Sequence, residues 1–367
     1  MSTNGDFEIL PQEHSGGDIV SNISQIDKNF VVQTNLNIDN IRFYSLEDER
    51  ISLYGVFYEN GMYRRLPERV AESVSEGVSA LHIHAAGGRI KLVTDSALVA
   101  IKAVMPDIGR MSHFALSGSS GFDMYIGENE VYYNSFIPPY DMKDGYENVI
   151  YFDSREKREI TINFPLYSGI SELYVGIEDD AIIEKTSGYK YEKPIVFYGS
   201  SITQGGCASR PGNSYEGIVS RALQTDYINL GFSGSAKGED KMAEYISSLD
   251  MLCFVYDYDY NAPSVEHLQN THQRMFLKIR EANPDLPIII LSRPKYILND
   301  EEKIRLNIIK NTYNQAVALG DKNVYFISGK ELMEYAENDG TVDGCHPNDL
   351  GFYSMARALI KQLNEIL

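Results

Sequence analysis

Two short segments far apart in the chain carry residue types that could together break an ester. GSSITQGG (199–206) places Ser200 and Ser201 directly after an apolar run, and VDGCHPNDLGF (342–352) places Asp343 and His346 three residues apart before the last helical pattern. A serine hydroxyl is a poor nucleophile until a base within hydrogen-bond reach takes its proton, and that base needs an orienting partner. In a tight pre-helical turn the Asp343 carboxylate can reach one nitrogen of His346 and leave the other for the serine. This is the division of labour of a Ser-His-Asp triad, in which the acid fixes the tautomer and stabilises the imidazolium. Each segment also has a purely local reading. Ser200 or Ser201 would cap the next helix, Asn348 or Asp349 would cap the last one, and the histidine would be incidental.

The elements that must position these residues follow from periodicity. From Pro194 onward, apolar runs at IVFY (195–198), YINLGF (227–232), MLCFVYD (251–257), PIIILS (287–292) and NVYFIS (323–328) alternate with helical patterns. The helices are expected at about 214–225, 239–248, 265–282, 300–319, 330–337 and 349–366. Strand–helix alternation predicts a doubly wound parallel sheet covered on both faces, an α/β domain whose ligands collect at the carboxyl ends of the strands. Ser201 falls at such an end. Up to about residue 185 the pattern is instead of short alternating segments, among them SALHIHA (79–85), GRIKLVTD (88–95), LVAIKAVM (98–105) and REITINFPLY (158–167). These predict an N-terminal, jelly-roll-like β-sandwich with no amphipathic helix. The polar stretch KTSGYKYEKP (185–194) is the seam, giving domains 1–188 and 189–367.

Composition narrows the partners. At 367 residues, with 43% hydrophobic and 23% charged residues, the chain is long enough for two cores. A net charge of −19 disfavours nucleic acid, anionic membrane surfaces and polyanionic substrates, and favours a neutral small molecule or oligosaccharide. MSTNGDFEILPQEHSGGDIV has neither the basic start nor the apolar run of a signal peptide, and no run of about 20 apolar residues follows. Three irregularly spaced cysteines, Cys207, Cys253 and Cys345, fit neither a disulfide framework nor a structural zinc site. A reduced cytoplasm is therefore the expected address, and a homodimer the default assembly.

GSSIT together with DGCHP resembles the first and last blocks of the SGNH (GDSL-type) hydrolases, whose first block usually reads GDS and whose last reads DxxH. NLGFSG (229–234) is similar to the second block and DYDYNA (257–262) stands where the third usually reads GxND. The resemblance implies Ser201 as nucleophile, His346 as base and Asp343 as its acid. It further implies an oxyanion hole of the Ser201 and Gly234 N–H groups and the Asn261 amide. Ser200 replaces the usual aspartate, and Asp259-Tyr260 replace small residues before the asparagine. The motif GFDMY (121–125) is similar to the GxDLY motif of an N-terminal β domain found in one subgroup of these esterases. Relatives of that kind imply a carbohydrate esterase that removes acetyl groups from mannan or xylan fragments, with no metal or organic cofactor.

Other residues carry weaker expectations. Arg210, Asp259 and Tyr260 are candidates for lining the substrate cleft. His82 and His84 share one face if they lie on a strand, which would suit a metal, but no partner ligand is evident. Cys207 and Cys345 are read as small apolar packing residues near the site. The rival functions are a short-chain lipase, lysophospholipase or acyl thioesterase on the same scaffold, and a non-catalytic carbohydrate-binding protein.

Overall fold

Alternation along the first half builds two antiparallel sheets. One orders its strands Ile41–Ser45, Glu172–Glu178, Leu98–Val104 and Gly145–Tyr151. The other runs Ile183–Glu184, Arg89–Thr94, Arg158–Asn163, Phe122–Ile126 and Val131–Phe136, with Ser52–Tyr54 added beside Arg89–Thr94. Residues two apart share a face, so Ile90, Leu92, Ile160 and Ile162 of one sheet meet Val99, Ile101, Val175 and Ile177 of the other in a single buried layer. The computed structural model describes residues 35–367. The N-terminal stretch expected to lack a secretion signal lies outside them.

The expected absence of helices from this half needs correction. Glu68–Val74 and Glu76–Leu81 are helical, and Ser75 caps the second by accepting from the Val78 N–H at 3.2 Å. The stretch 79–85 therefore begins as the end of a helix, not as a strand. Its apparent alternation comes from His82, which closes the helix, and His84, which forms an isolated bridge to Gly169. Helices of six or seven residues are too short to display a 3.6-residue period against neighbouring strand signals.

The second half forms a five-stranded parallel sheet in the order Tyr227–Gly231, Ile195–Gly199, Cys253–Asp257, Ile288–Leu291 and Val324–Ile327. Both faces are covered, as the continuous apolar strands require. Val196 and Tyr198 pack under the helices Asp240–Ser247 and Val265–Ala282. Ile195 and Phe197, on the opposite face, pack under Tyr215–Leu223 and Asp349–Ile366. The expected helix at 330–337 is only Gly329–Leu332, followed by turns. Strand order reverses direction at Ile195–Gly199, so the crevice at its carboxyl end is the place where a doubly wound sheet opens to a ligand. Among the described residues no helix is long and apolar enough to cross a membrane.

Leu36–Leu367 make one compact unit. Buried arginines join the sandwich to the parallel sheet. Arg65 donates to the carbonyls of His84, Leu81, Asn229 and Gly231, and Arg89 donates to Asp226, to the Tyr189 hydroxyl and to the Gly87 and Tyr227 carbonyls. A planar guanidinium with five donors can satisfy several buried carbonyls at once, which a lysine cannot.

Candidate active site

The turn after strand Ile195–Gly199 is set by a glycine. A Cβ at Gly199 would stand 1.9 Å from the Asp257 carbonyl oxygen and 2.1 Å from Thr203 Oγ1, so the strand can pass its neighbour only without a side chain. Ser200 then donates its N–H to the Asp257 carbonyl at 3.1 Å, and the Ser201 carbonyl accepts from the Gly206 N–H at 2.8 Å. A third bond comes from the sandwich, where the buried Tyr167 hydroxyl donates to the same Ser201 carbonyl at 3.1 Å. The Ser201 backbone is thus held from both halves of the unit, with its side chain at the carboxyl end of the sheet.

At the other end of the chain, VDGCHP folds into the anticipated tight turn. Gly344 adopts φ +83°, and the Asp343 carboxylate accepts from the backbone N–H groups of Cys345 and His346 at 3.0 and 2.8 Å. Its second oxygen pairs with His346 Nδ1 at 2.8 Å, and His346 Nε2 stands 3.0 Å from Ser201 Oγ. The structure therefore brings Ser201, His346 and Asp343 into one hydrogen-bonded line. Burial works against the charge on Asp343. The bonds from the His346 ring and from the His346 and Cys345 N–H groups outweigh it and hold the carboxyl at about 2. An ionised Asp343 keeps the proton of His346 on Nδ1 and leaves an Nε2 lone pair able to take the Ser201 proton.

The local reading of this segment also has a place, alongside the chemical one. Asn348 caps the last helix through the Gly351 N–H at 3.0 Å. Asp349 accepts from the Ser209 N–H at 2.9 Å, from the Ser209 hydroxyl at 2.5 Å and from Asn213 Nδ2 at 2.9 Å, lashing that helix to the loop after the nucleophile.

Gly234 and Asn261 lie at the ends of the two neighbouring strands. Gly234 has φ +66°, the left-handed region that favours glycine. Among the described residues, no protein acceptor takes the N–H of Ser201 or of Gly234. Asn261 Nδ2 donates one hydrogen to the Phe232 carbonyl at 2.9 Å, which fixes the amide plane and leaves its other hydrogen for a ligand. Gln204 braces the second block by accepting from the Ser233 N–H at 3.0 Å, and its own amide meets His84 Nδ1 at 3.0 Å, with Asp107 on the other ring nitrogen at 2.8 Å. His84 is a member of this chain of bonds, and His82 is bonded to Arg64 and to the Ser79 carbonyl instead.

Of the three residues expected to line the cleft, Arg210 and Asp259 are held in buried ion pairs and Tyr260 packs under an arginine. Arg210 pairs with Asp123 of the GFDMY motif at 3.0 Å, donates to the Tyr125 hydroxyl and lies 3.7 Å from the Tyr132 ring centre. Asp259, 1% exposed, is bracketed by Arg293 at 2.8 Å and Arg305 at 2.7 Å. Its role is to fix the turn Asp259–Asn261, since Arg305 also donates to the carbonyls of Asp259 and Ala262. The extra carboxylate before Asn261 is thus neutralised and turned away from solvent. Tyr260 lies under the Arg293 guanidinium, 4.5 Å from ring centre to Cζ, with its hydroxyl buried. Two residues that the sequence did not single out touch the residues of the triad. Tyr167 is one. His113 is another, its ring centre 5.5 Å from that of His346. Neither belongs to a motif, and both come from the sandwich, so only the fold brings them to the site.

Asp257 lies beneath the nucleophile turn, fully enclosed. Burial first and the Asp259 carboxylate second push its carboxyl up to about 7, against smaller downward pulls from Thr203 and Arg293. Between about pH 4, where the unfolded chain loses this proton, and about pH 7, where the folded protein does, the folded state alone retains it. Stability therefore falls as pH rises through that window. Asp257→Asn is expected to flatten this slope, raising the unfolding temperature at pH 8 while changing it little at pH 5.

Residues 192–364 match the GDSL-like Lipase/Acylhydrolase family, and residues 41–183 match the GxDLY domain, described as the N-terminus of Esterase_SGNH_hydro-type. Comparison with curated protein sequences gives no match. Among solved structures, a GDSL-like lipase from Bacteroides ovatus is similar at 28% identity and TM-score 0.80, over 89% of this chain and 98% of that one. The salicylyl-acyltransferase SsfX3 of a tetracycline biosynthetic pathway shares the fold at 19% identity and TM-score 0.71, over 90% of this chain and 98% of that one. A family two carbohydrate esterase from Cellvibrio japonicus does so at 12% and 0.60, over 89% and 98%. With both halves matched in order and the block residues gathered at the sheet's carboxyl edge, the chain belongs to the SGNH (GDSL-type) hydrolases that carry a GxDLY N-terminal domain.

Proposed function

We propose that this SGNH esterase removes acetyl groups from neutral hemicellulose oligosaccharides, mannan or xylan fragments, inside the cell. The observation that carries the chemistry is the unbroken line from Ser201 Oγ to His346 to Asp343, with bonds of 3.0 and 2.8 Å. His346 Nε2 takes the Ser201 proton as Oγ attacks the ester carbonyl. The oxyanion forms against the N–H groups of Ser201 and Gly234 and the Asn261 amide. His346 then returns the proton to the leaving sugar hydroxyl, and the same base activates the water that releases acetate.

Two features support a small acyl group on a neutral substrate. Ser201 is only 8% exposed, which limits what can approach its hydroxyl, and the net charge of −19 repels polyanions. Nitrophenyl acetate is expected to be cleaved faster than the butyrate, and the octanoate slowest. An optimum beyond butyrate would move the reading to a lipase or thioesterase. Asn261→Ala is expected to lower kcat for nitrophenyl acetate by about 10²–10³ with little change in KM, because the amide binds the oxyanion more tightly than the ground-state carbonyl.

The deciding experiment is acetate release from acetylated manno- and xylo-oligosaccharides by the wild type and by Ser201→Ala. Release by the wild type alone is the expected result. Cleavage of nitrophenyl acetate without release from either sugar would retain the mechanism and discard the substrate.

A further inference from the structure

Three side chains of metal-ligating type converge on the base from three parts of the chain. His113 comes from the sandwich, Cys207 from the loop six residues after the nucleophile, and His346 from the last block; one ligand atom from each lies within 4.8 Å of the others. The His113 and His346 rings are tilted at 48° with centres 5.5 Å apart. His113 is held there by a tight turn, in which Met111 and Phe114 form an isolated bridge and Phe114 packs edge-on against Tyr167 at 5.3 Å. Cys207 adopts φ +76°, a left-handed conformation rare for a residue with a side chain, and its thiol is buried beside the site.

The same bonds that make His346 a base also make it a ligand. Asp343 holds the Nδ1 proton, so Nε2 presents a lone pair, which is the carboxylate–histidine arrangement common around bound zinc. Two imidazoles and a thiol are the donors that zinc-class ions prefer, and three protein ligands leave a fourth position for water. Bonds of about 2.0–2.3 Å place tetrahedral ligand atoms roughly 3.3–3.8 Å apart. The present separations need to close by about an ångström, which the exposed His113 side chain can supply. The strongly negative molecule also draws cations toward it.

We propose that His113, Cys207 and His346 form a site for a thiophilic divalent cation of the zinc class, and that its occupation switches the enzyme off. The ion takes the Nε2 lone pair that Ser201 Oγ faces at 3.0 Å, so the serine loses its base. On binding, the S–H proton leaves to solvent, sulfur bonds the ion through the freed electron pair, and both imidazoles bind as neutral ligands.

The inhibition arm of this proposal rests on the esterase reading, whereas the binding arm does not. Zinc chloride is expected to inhibit nitrophenyl acetate cleavage at micromolar concentration, reversibly on addition of a chelator. His113→Ala and Cys207→Ser should each raise the half-inhibitory zinc concentration about 10–100-fold, read against that variant's own metal-free rate. Cobalt(II) added to Ser201→Ala should give a near-ultraviolet thiolate-to-metal absorption band that is absent from the double variant Ser201→Ala/Cys207→Ser. Inhibition left unchanged by both His113→Ala and Cys207→Ser would overturn the site. So would the absence of a cobalt band at millimolar metal, whether or not the protein proves to be an esterase.

Discussion

Ser201→Ala is expected to lower kcat for nitrophenyl acetate by about 10⁵–10⁶, with His346→Ala close behind and the double variant no worse than either alone. The equality follows from the geometry. The hydroxyl at 3.0 Å from Nε2 is a useful nucleophile only while the imidazole takes its proton, and the later tasks of the imidazole, protonating the leaving group and activating water, arise only after that attack. Residual rate would come from the proposed oxyanion donors, the N–H groups of Ser201 and Gly234 and the Asn261 amide, which would bind the developing charge whatever attacks. Asp343→Ala should cost less, about 10³–10⁴. The carboxylate's side chain is 36% exposed, so water can partly replace it, and the turn residues still position His346 through the bond from the Val342 N–H to the His346 carbonyl. Steady-state kinetics on the four variants, each checked for folded structure, would decide this. A Ser201→Ala enzyme within tenfold of wild type would remove Ser201 as nucleophile.

The fold was legible where patterns are long and repeat. Five apolar runs alternating with helical periods lead to a parallel sheet, because only that sheet buries strands on both faces. The two short helices at Glu68–Val74 and Glu76–Leu81 were hidden, since two turns cannot establish a period and His82 and His84 mimic a strand. At the site, Asp343 and His346 were legible because a local turn spaces them three residues apart, and Ser201 because GSSIT resembles the first block of the SGNH hydrolases. The ion pairs of Arg210 and Asp259 were not legible, for the opposite reason. A charged residue beside a motif looks available for substrate until the fold supplies its partner, here Asp123 across the two halves for one and Arg293 with Arg305 for the other. Tyr167 and His113 left no trace at all. What each contributes depends on its distance to an atom in the other half, and no local pattern encodes that distance.

Asp123→Ala is expected to destabilise the protein by about 3–5 kcal/mol. Asp123 is the third residue of GFDMY and is fully buried. One oxygen accepts from Asn163 Nδ2 at 2.9 Å, and the other accepts from Arg210 at 3.0 Å and from the Gly212 N–H at 2.8 Å. Removing the carboxylate leaves the half-buried Arg210 charge and the buried Gly212 N–H with no acceptor of equal strength, and an orphaned buried group costs more than the bond it made. Arg210→Ala strands the carboxylate instead and should cost a similar amount. The double variant Asp123→Ala/Arg210→Ala should cost less than the sum of the two, because each single change already breaks the pair. Denaturant unfolding would read this as a shift in midpoint at constant slope. Well below the unfolding temperature, kcat of Asp123→Ala should stay within tenfold of wild type, since none of the bonds joining Ser201, His346 and Asp343 passes through Asp123. A large kcat loss without a midpoint shift would instead place this motif in the chemistry. The expected pattern makes it the clasp that holds the loop 207–213, and with it the approach to Ser201, against the sandwich.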